Sequence, residues 1–307
     1  MRTPAAFLPL ATLALALTLP ACKEAAAPAT TAAADASPLA ANIAALKDPR
    51  RVLPLEGGVN FRDLGGYRTA DGRVTKWQLL YRAGSPAGLT AKDQAELARR
   101  GIRTVCDLRA SDERAAEPNP YVAANSDVTY WTRDYAADAG DLMTALSGPD
   151  ASAEKSRAAM ISLYRRLPQE HAASFRQMFA FLAAGKVPLA FNCSAGKDRT
   201  GTAAALVLTL LGVPRETVVA DYALSDDLVD YMAKLEADSA GEGPYAGLAR
   251  LPRDVVAPLL ASDPAYIEAA LDAMAAEHGS VDLFIERELG VTPAMKRAII
   301  ANLTAPV

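Results

Sequence analysis

The segment from Pro188 to Leu211 constrains the fold most strongly, because it joins two apolar runs through a short polar loop. The run Pro188–Cys193 is short and apolar and predicts a strand. The run Thr200–Leu211 is apolar nearly all round, which predicts a buried helix. The loop between them contains Gly196, the residue type that adopts a positive φ without penalty. This chain is therefore predicted to bury a strand, a tight turn and a helix in one core.

Residues 79–193 alternate between strand-like and helix-like patterns. Short apolar runs predict the strands, and amphipathic periodicity predicts the helices. This alternation indicates an α/β fold with a central, mostly parallel sheet flanked by helices. The strands are predicted at Leu79–Ala83, Thr104–Leu108, Val128–Trp131 and Pro188–Cys193, and the helices at Ala91–Arg100, Ala153–Leu167 and Glu170–Ala184, with Pro168 separating the last two.

The chain from Arg215 onward shows helical patterns alone. We interpret residues 215–290 as a helical cap, a lid that screens a cleft and gates access to it. The folded domain is predicted to span residues 51–307. Glycines and prolines break the helices at Gly241–Pro244, Pro252, Pro264, Gly279 and Pro293.

The N-terminal segment is predicted to lie outside the folded domain. Residues 1–21 have a charged start, a short apolar middle and a small residue at the end, which is typical of a secretory signal peptide. Leu19-Pro20-Ala21-Cys22 resembles a bacterial lipobox, so Cys22 is the expected lipidation site; the alternative is ordinary cleavage. Residues 22–50 are rich in Ala, Pro and Thr and predict a flexible linker. The protein is expected to be a membrane-anchored lipoprotein that faces the periplasm or cell exterior. It is expected to be attached to the membrane only through its anchor.

The loop after the predicted Pro188–Cys193 strand has the residues of an anion site. At a strand-to-helix junction several backbone N–H groups converge, and the positive end of the helix dipole adds to their field. That field favours the ionised form of the Cys193 thiol, which is the nucleophile. Arg199 can offer a planar fork to two phosphate oxygens, and the Thr200 hydroxyl can donate to the sulfur. These residues predict a cradle that binds a tetrahedral anion such as a phosphate group.

The spacing Cys-(five residues)-Arg-Thr-Gly resembles the signature of cysteine-dependent tyrosine phosphatases. The run Cys193–Gly201 is most similar to the bacterial tyrosine phosphatase family that includes dual protein and lipid phosphatases. Three further blocks support the resemblance: Asn60–Gly66, Leu80–Gly84 and Cys106–Arg109. The resemblance implies a tyrosine-phosphatase-like fold and phosphotyrosine hydrolysis through a phosphocysteine, without a metal or other cofactor. Phosphorylated proteins and phosphoinositides are the implied partners, with phosphoserine and phosphothreonine as further candidate substrates.

A general acid must protonate the leaving oxygen. In the resembled family the Asp inside the loop is proposed for this role, which implies Asp198 here. Asp134, just after a predicted strand, is the alternative. The position of Lys197 inside the loop favours a substrate contact. The predicted catalytic residues are thus Cys193, Asp198 and Arg199, and the predicted substrate-binding residues are Ser194, Ala195, Gly196, Lys197 and Thr200.

Residues outside the loop are expected to support it. Asp107 and Arg109 end a strand that is expected to lie beside the Cys193 strand, and we interpret them as an ion-paired buttress. A glycine-flanked loop is expected to brace the cradle or line its rim. The resembled family usually has His before the nucleophile, and this chain has an Asn, which carries no positive charge. The supporting set is Asn60, Arg62, Asp63, Asp107, Arg109 and Asn192.

Composition excludes several other functions. The net charge of −4 gives no broad basic surface for nucleic acid. Two histidines and three cysteines do not form a zinc site or a disulfide scaffold. An inositol-polyphosphate phosphatase remains an alternative, although such enzymes usually need a strongly basic rim. A phosphate-binding pseudophosphatase is the non-enzymatic alternative, and the presence of both Cys193 and Arg199 argues against it.

Overall fold

The computed structural model describes residues 38–136, 146, 150–238 and 248–307. The predicted signal peptide, Cys22 and the break at Gly241–Pro244 lie outside the described residues. No helix in these ranges is long and apolar enough to span a bilayer.

The central sheet of the described chain has five strands. In spatial order they are β1 (Arg62–Asp63), β3 (Leu80–Ala83), β6 (Leu189–Asn192), β4 (Thr104–Asp107) and β5 (Thr129–Thr132). Strands β3, β6, β4 and β5 run parallel, and β1 is antiparallel to β3. The four predicted strands and the mostly parallel sheet are confirmed.

Helices pack against both faces of this sheet. Cys106, Leu189 and Phe191 join a large apolar cluster on one face, while Val105 and Ala190 join a smaller cluster on the other. The helices are α1 (Pro38–Leu46), α2 (Ala91–Arg99), α3 (Ser111–Ala116), α4 (Pro120–Ala124), α5 (Ala153–Glu170), α6 (Ala172–Ala183), α7 (Asp198–Leu210), α8 (Arg215–Leu228), α9 (Tyr231–Asp238), α10 (Arg253–Leu260), α11 (Pro264–His278), α12 (Val281–Arg287) and α13 (Pro293–Leu303), with a 3₁₀ turn at Leu248–Arg250.

Two boundary predictions are wrong. Pro168 does not separate two helices, because it lies buried inside α5, and the break falls at His171. Proline lacks a backbone N–H donor, but tertiary packing can stabilise a helix despite the missing hydrogen bond. The C-terminal region is also not purely helical. Strand β7 (Thr304–Pro306) pairs antiparallel with β2 (Arg73–Thr75), which forms a second, two-stranded sheet.

The predicted linker 22–50 extends too far toward the domain. Helix α1 lies within it, and the buried Asn42 side chain fastens the helix to the fold. Its amide donates to Arg68 O and Thr217 Oγ1 at 3.1 and 3.0 Å, and its carbonyl accepts from Arg68 N at 2.7 Å. Proline at the first helical position and the alanines that follow favour a helix. The linker prediction interpreted the same residues as the composition of a flexible segment. The compact unit therefore begins before residue 51.

We expect Asn42→Ala to lower the free energy of unfolding by about 1–3 kcal/mol, because buried partners lose their hydrogen bonds. Urea denaturation followed by circular dichroism measures the change. The neighbouring Ile43 is 50% exposed, so Ile43→Ala is a matched control with an expected change within about 0.5 kcal/mol. Equal losses in the two variants would contradict a specific role for the Asn42 amide.

The predicted cap at 215–290 is partly core. Asp221 and Tyr222 of α8 are buried, and Ile267 and Leu271 of α11 belong to the large apolar cluster. Among the described residues of 215–290, those that line the cleft described below belong to α9, the 3₁₀ turn and α10. The C-terminal helices therefore form a small cap on a helical layer that belongs to the core.

Candidate active site

The loop that follows β6 forms the candidate site at the carboxyl edge of the sheet. Strand β6 is central, and Asn192 at its end is in register with Ala83 of β3 and Asp107 of β4. The next residue, Cys193, is 1% exposed. Parallel sheets place ligand sites at this edge, since their loops and helix N-termini converge there.

Gly196 gives the loop its shape. Its φ is +70°, and a Cβ at this position would lie 2.5 Å from Gly84 N and 2.7 Å from Ala83 C. Its carbonyl accepts hydrogen bonds from Asn60 Nδ2 and Arg82 Nη2, both at 2.9 Å. The predicted positive φ at Gly196 is confirmed, and the carbonyl of this residue points inward to the protein.

The backbone amides of this loop are left for a ligand. No acceptor among the described residues is hydrogen-bonded to the N–H groups of residues 194–199. Helix α7 begins at Asp198, so its unpaired first-turn N–H groups and its positive dipole end add to the same field. A curl of unpaired amides around Cys193 is an anion cradle.

Arg199 lies in the first turn of α7 and is held from one side. Nη1 and Nη2 donate to the two carboxylate oxygens of Glu113 at 2.5 and 2.7 Å, and Nη1 also donates to Tyr135 Oη at 2.9 Å. No described residue accepts from Nε. The Nε–Nη2 edge is therefore available to a second planar pair of oxygens, such as those of a phosphate.

Glu113 is a site residue that the sequence analysis missed. It lies in α3, and besides Arg199 its carboxylate accepts from Ser194 Oγ at 2.7 Å and from Ala110 N at 2.6 Å. Burial raises the carboxyl pKa, but the hydrogen bonds and charge of Arg199 outweigh it and lower the pKa of Glu113 to about 2. Glu113 positions the arginine and one loop hydroxyl.

The Glu113–Arg199 contact predicts an acid-dependent stability. A carboxyl whose folded pKa is depressed stabilises the fold above its unfolded pKa, and this contribution is lost as pH falls through the folded pKa. For Glu113 the window runs from an ordinary value of 4.5 down to about 2. We expect Glu113→Gln to unfold at a lower temperature than the native chain at pH 6. The difference between the two unfolding temperatures is expected to narrow as the pH falls from 4.5 to about 2.

Thermal unfolding from pH 6 to pH 2 measures this gap. Glu286→Gln is the control, because Glu286 is exposed on α12 and forms no ion pair with the described residues. A gap between native chain and Glu113→Gln that stays constant with pH would contradict the ionised pair.

Asp198 and Asp134 occupy different environments. The Asp198 side chain is 27% exposed, lines the cleft, and accepts a hydrogen bond from Tyr164 Oη at 2.7 Å. The Asp134 side chain is 90% exposed and is ion-paired with Arg114 Nη2 at 2.5 Å. Among the described residues that line the cleft, Asp134 does not occur. The geometry favours Asp198 as the general acid.

Two predicted ligand contacts are directed elsewhere in this structure. The buried Lys197 Nζ donates to the carbonyls of Leu259 and Ala261 at the end of α10, instead of pointing into the cradle. The Thr200 hydroxyl donates to Ala83 O at 3.3 Å, so it supports β3 and not the sulfur. Both side chains satisfy orphan carbonyls, a demand that loop position alone does not reveal.

The glycine-flanked loop before β1 braces the cradle from behind. Asn60 Nδ2 donates to Gly196 O, and Arg62 contacts Asp221 and Ser225 of α8. Asp63 points away from the cradle. It accepts from Gly65 N and Gln78 N, and burial raises its pKa to about 6, so it neither braces the cradle directly nor lines its rim, the two roles expected for this loop.

The neighbouring strand supplies the expected buttress. Arg109 Nη2 pairs with Asp107 Oδ2 at 2.6 Å, with both side chains fully buried. Asn192 Nδ2 donates to Asp107 Oδ1 at 3.2 Å, so the Asn in place of the usual His is tied to this pair. Cys106, which precedes Asp107 on β4, is a core thiol whose pKa is raised well above its usual value by burial.

A cleft with a volume of about 780 Å³ lies over the loop. Ser194, Ala195 and Arg199 form part of its lining, opposite apolar side chains from α5 and the cap. Its described charged lining is acidic on balance, with Asp112, Glu113, Glu117 and Asp198 against Lys197, Arg199 and Lys234. The apolar wall consists of Val59, Met160, Leu163, Tyr231, Leu248, Leu259 and Leu260.

Known proteins are similar to this chain in sequence. The model of the tyrosine phosphatase family matches residues 53–305. A putative tyrosine-protein phosphatase of Cupriavidus necator is 32% identical over 240 residues, which cover 78% of this chain and 84% of the relative. The triple specificity protein phosphatase PtpB of Mycobacterium tuberculosis is 34% identical over 58% of this chain and 70% of its own.

The crystal structure of TpbA from P. aeruginosa aligns with 66% of this chain and 96% of its own at 18% identity, and its TM-score of 0.30 is too low for a structural comparison. Membership instead follows from the family match across most of the chain and from the C. necator relative. The chain belongs to the tyrosine phosphatase family.

Proposed function

We propose that this tyrosine phosphatase works through a phosphocysteine formed on Cys193. The observation that carries the proposal is the ring of unpaired loop amides around that thiol, completed by the free edge of Arg199. The thiolate attacks phosphorus while the bond from phosphorus to the leaving oxygen breaks. The amides and Arg199 stabilise the charge on the equatorial oxygens. Water then attacks the phosphocysteine, which releases phosphate and regenerates the thiolate.

Asp198 is proposed as the general acid of the first step and the base of the second. It gives its proton to the leaving oxygen and later accepts one from the attacking water. Its place on the cleft wall at the N-terminus of α7 supports this role. The exposed Asp134, paired with Arg114, has no comparable access.

A leaving-group series tests the acid. We expect Asp198→Asn to lower kcat/KM on phenyl phosphate by about a hundredfold or more, the usual size of general acid catalysis. The effect on p-nitrophenyl phosphate is expected to be much smaller, because its leaving oxygen needs little protonation. Asp134→Asn is the matched control and is expected to leave both rates nearly unchanged. A selective loss in Asp134→Asn, with none in Asp198→Asn, would transfer the role to Asp134.

For the substrate we propose phosphotyrosine before polyanionic inositol phosphates. The apolar wall of the cleft suits an aromatic ring, and its described charged lining has no excess of cations to bind a ligand with several phosphates. PtpB is named a triple specificity phosphatase, so phosphoserine, phosphothreonine and phosphoinositide hydrolysis are proposed as secondary activities of this chain. A panel of phosphopeptides, phosphoinositides and inositol hexakisphosphate at equal concentration ranks them. Fastest hydrolysis of the hexakisphosphate would contradict the proposed order.

We also propose that the protein is exported and anchored through a lipid on Cys22. The lipobox-like Leu19–Cys22 run supports the anchor, and a tether ahead of α1 would keep the catalytic domain near the membrane surface. Cys22→Ala is expected to move the protein from the membrane fraction to the soluble fraction of the envelope. Retention of the variant in the membrane fraction would contradict the anchor.

A further inference from the structure

A chain of two buried hydroxyl groups ends on the carboxyl group of Asp198. Tyr222 Oη lies 2.6 Å from Tyr164 Oη, and Tyr164 Oη donates to Asp198 Oδ1 at 2.7 Å. Tyr164 is fully buried, and Tyr222 is 1% exposed. These two tyrosines come from α5 and α8, far from the loop in sequence.

The direction of the hydrogen bonds in this chain is fixed by chemistry. Burial raises the pKa of both tyrosines well above 10, so each stays neutral and carries a single proton. Tyr164 uses its proton on Asp198 Oδ1, and Tyr222 therefore donates to Tyr164. Because Oδ1 is an acceptor, the proton of a neutral Asp198 carboxyl is carried by Oδ2.

The surroundings leave Oδ2 free for this purpose. Lys197 Nζ lies 3.4 Å from Oδ1, on the same oxygen as Tyr164. Within the described ranges, no residue donates a hydrogen bond to Oδ2. The carboxyl group lines the cleft, so its unpartnered oxygen is the one that can meet a substrate.

Packing holds the two tyrosines in place. A Cβ on Gly201 would lie 2.7 Å from Tyr222 Cδ2, so the Tyr222 ring lies against the first turns of the helix that Asp198 begins. The Tyr164 ring meets Tyr222 edge-on with centroids 5.8 Å apart, and it contacts Tyr266 at 5.5 Å. Neither ring can move its hydroxyl oxygen away from its hydrogen-bond partner without disturbing the packing of the core.

We propose that Tyr164, held by Tyr222, is a positioning residue that fixes the Asp198 carboxyl with its protonated oxygen toward the leaving group. The inference rests on the proposed acid role of Asp198. In the first step the proton passes from Oδ2 to the leaving oxygen as the bond to phosphorus breaks. Tyr164 keeps its own proton throughout and stabilises the carboxylate that forms.

Tyr164→Phe tests the inference, because it removes only the hydroxyl. On phenyl phosphate, kcat/KM is expected to fall by about tenfold or more, a part of the usual general acid contribution. On p-nitrophenyl phosphate the loss is expected to be much smaller. Tyr266→Phe is the matched control: it also removes one buried tyrosine hydrogen bond, to Pro258 O at 2.8 Å, but that hydroxyl is not hydrogen-bonded to Asp198 or to the two tyrosines of the chain.

Three results overturn the proposal. One is an equal loss on both substrates in Tyr164→Phe, which indicates a general structural role. Another is a steeper leaving-group dependence in Tyr266→Phe than in Tyr164→Phe. The third is additivity of Tyr164→Phe and Asp198→Asn on phenyl phosphate, since a residue acting through Asp198 loses its effect when the acid is removed.

The same series separates this inference from the proposed function. If kcat/KM falls selectively on phenyl phosphate in Asp198→Asn but not in Tyr164→Phe, the positioning role of Tyr164 is overturned and Asp198 remains the general acid. No selective loss in Asp198→Asn overturns the acid assignment, and the inference with it. Selective, non-additive losses in both variants support the two together.

Discussion

Cys193→Ser is expected to lose turnover of p-nitrophenyl phosphate by several orders of magnitude while keeping its fold. A serine hydroxyl does not ionise near neutral pH, so the cradle would then hold phosphate without a nucleophile. The substituted atom is nearly isosteric and lies at the edge of the core, so the unfolding temperature is expected to change little. Steady-state kinetics and thermal unfolding measure the two quantities. Rapid quenching of the native enzyme with labelled substrate is expected to trap phosphate on Cys193.

Cys106→Ala is the matched control for this variant. Cys106 is the other cysteine of the described sheet, buried on β4 next to the Cys193 strand. Burial raises the pKa of its thiol, and it has no ring of amides around it. Its loss is expected to lower stability and leave the rate nearly unchanged. A Cys193→Ser enzyme that still turns over, with a Cys106→Ala enzyme that does not, would contradict the assignment.

The sequence was sufficient for the parts of the site that are local in the chain. Cys193, Gly196 and Arg199 lie within one strand–loop–helix unit, where periodicity and a single glycine determine the geometry. The four parallel strands were predicted within one residue because each is a short, largely apolar run, whereas β1, β2 and β7 were not predicted. These signals act over a few residues, and tertiary contacts do not alter them.

The site residues that were not predicted from the sequence are all brought to the site by tertiary contacts. Glu113 follows the strand next to β6, and only the sheet order shows that its carboxylate reaches Arg199. The sequence did contain a signal, since an acidic residue shortly after the C-terminal end of a central strand is expected to lie close to the site. Tyr164 and Tyr222 gave no such signal, because aromatic residues on helices are usually core. The bonds of Lys197 to α10 were not predicted either, because its position in the loop is local but these bonds depend on packing.

Arg199→Lys is expected to lower kcat/KM by about a hundredfold to a thousandfold, the usual cost of losing one charge-stabilising group. The reason lies in the two edges of the guanidinium. One N–H of Nη1 and one of Nη2 donate to Glu113, and the second N–H of Nη2 forms with Nε the edge left for phosphate. A lysine ammonium is a point charge with no planar fork, so it cannot serve both partners in fixed geometry.

Arg114→Lys is the control for charge alone. Arg114 lies at the rim in α3, where it donates to the carbonyls of Arg109 and Arg133 and pairs with the exposed Asp134. The same chemical change there is expected to leave kcat/KM nearly unchanged. Inorganic phosphate as a competitive inhibitor separates binding from chemistry, and its inhibition constant is expected to rise in Arg199→Lys only. If Arg199→Lys is as active as Arg114→Lys, a single positive charge is sufficient and phosphate is not held by the Nε–Nη2 edge.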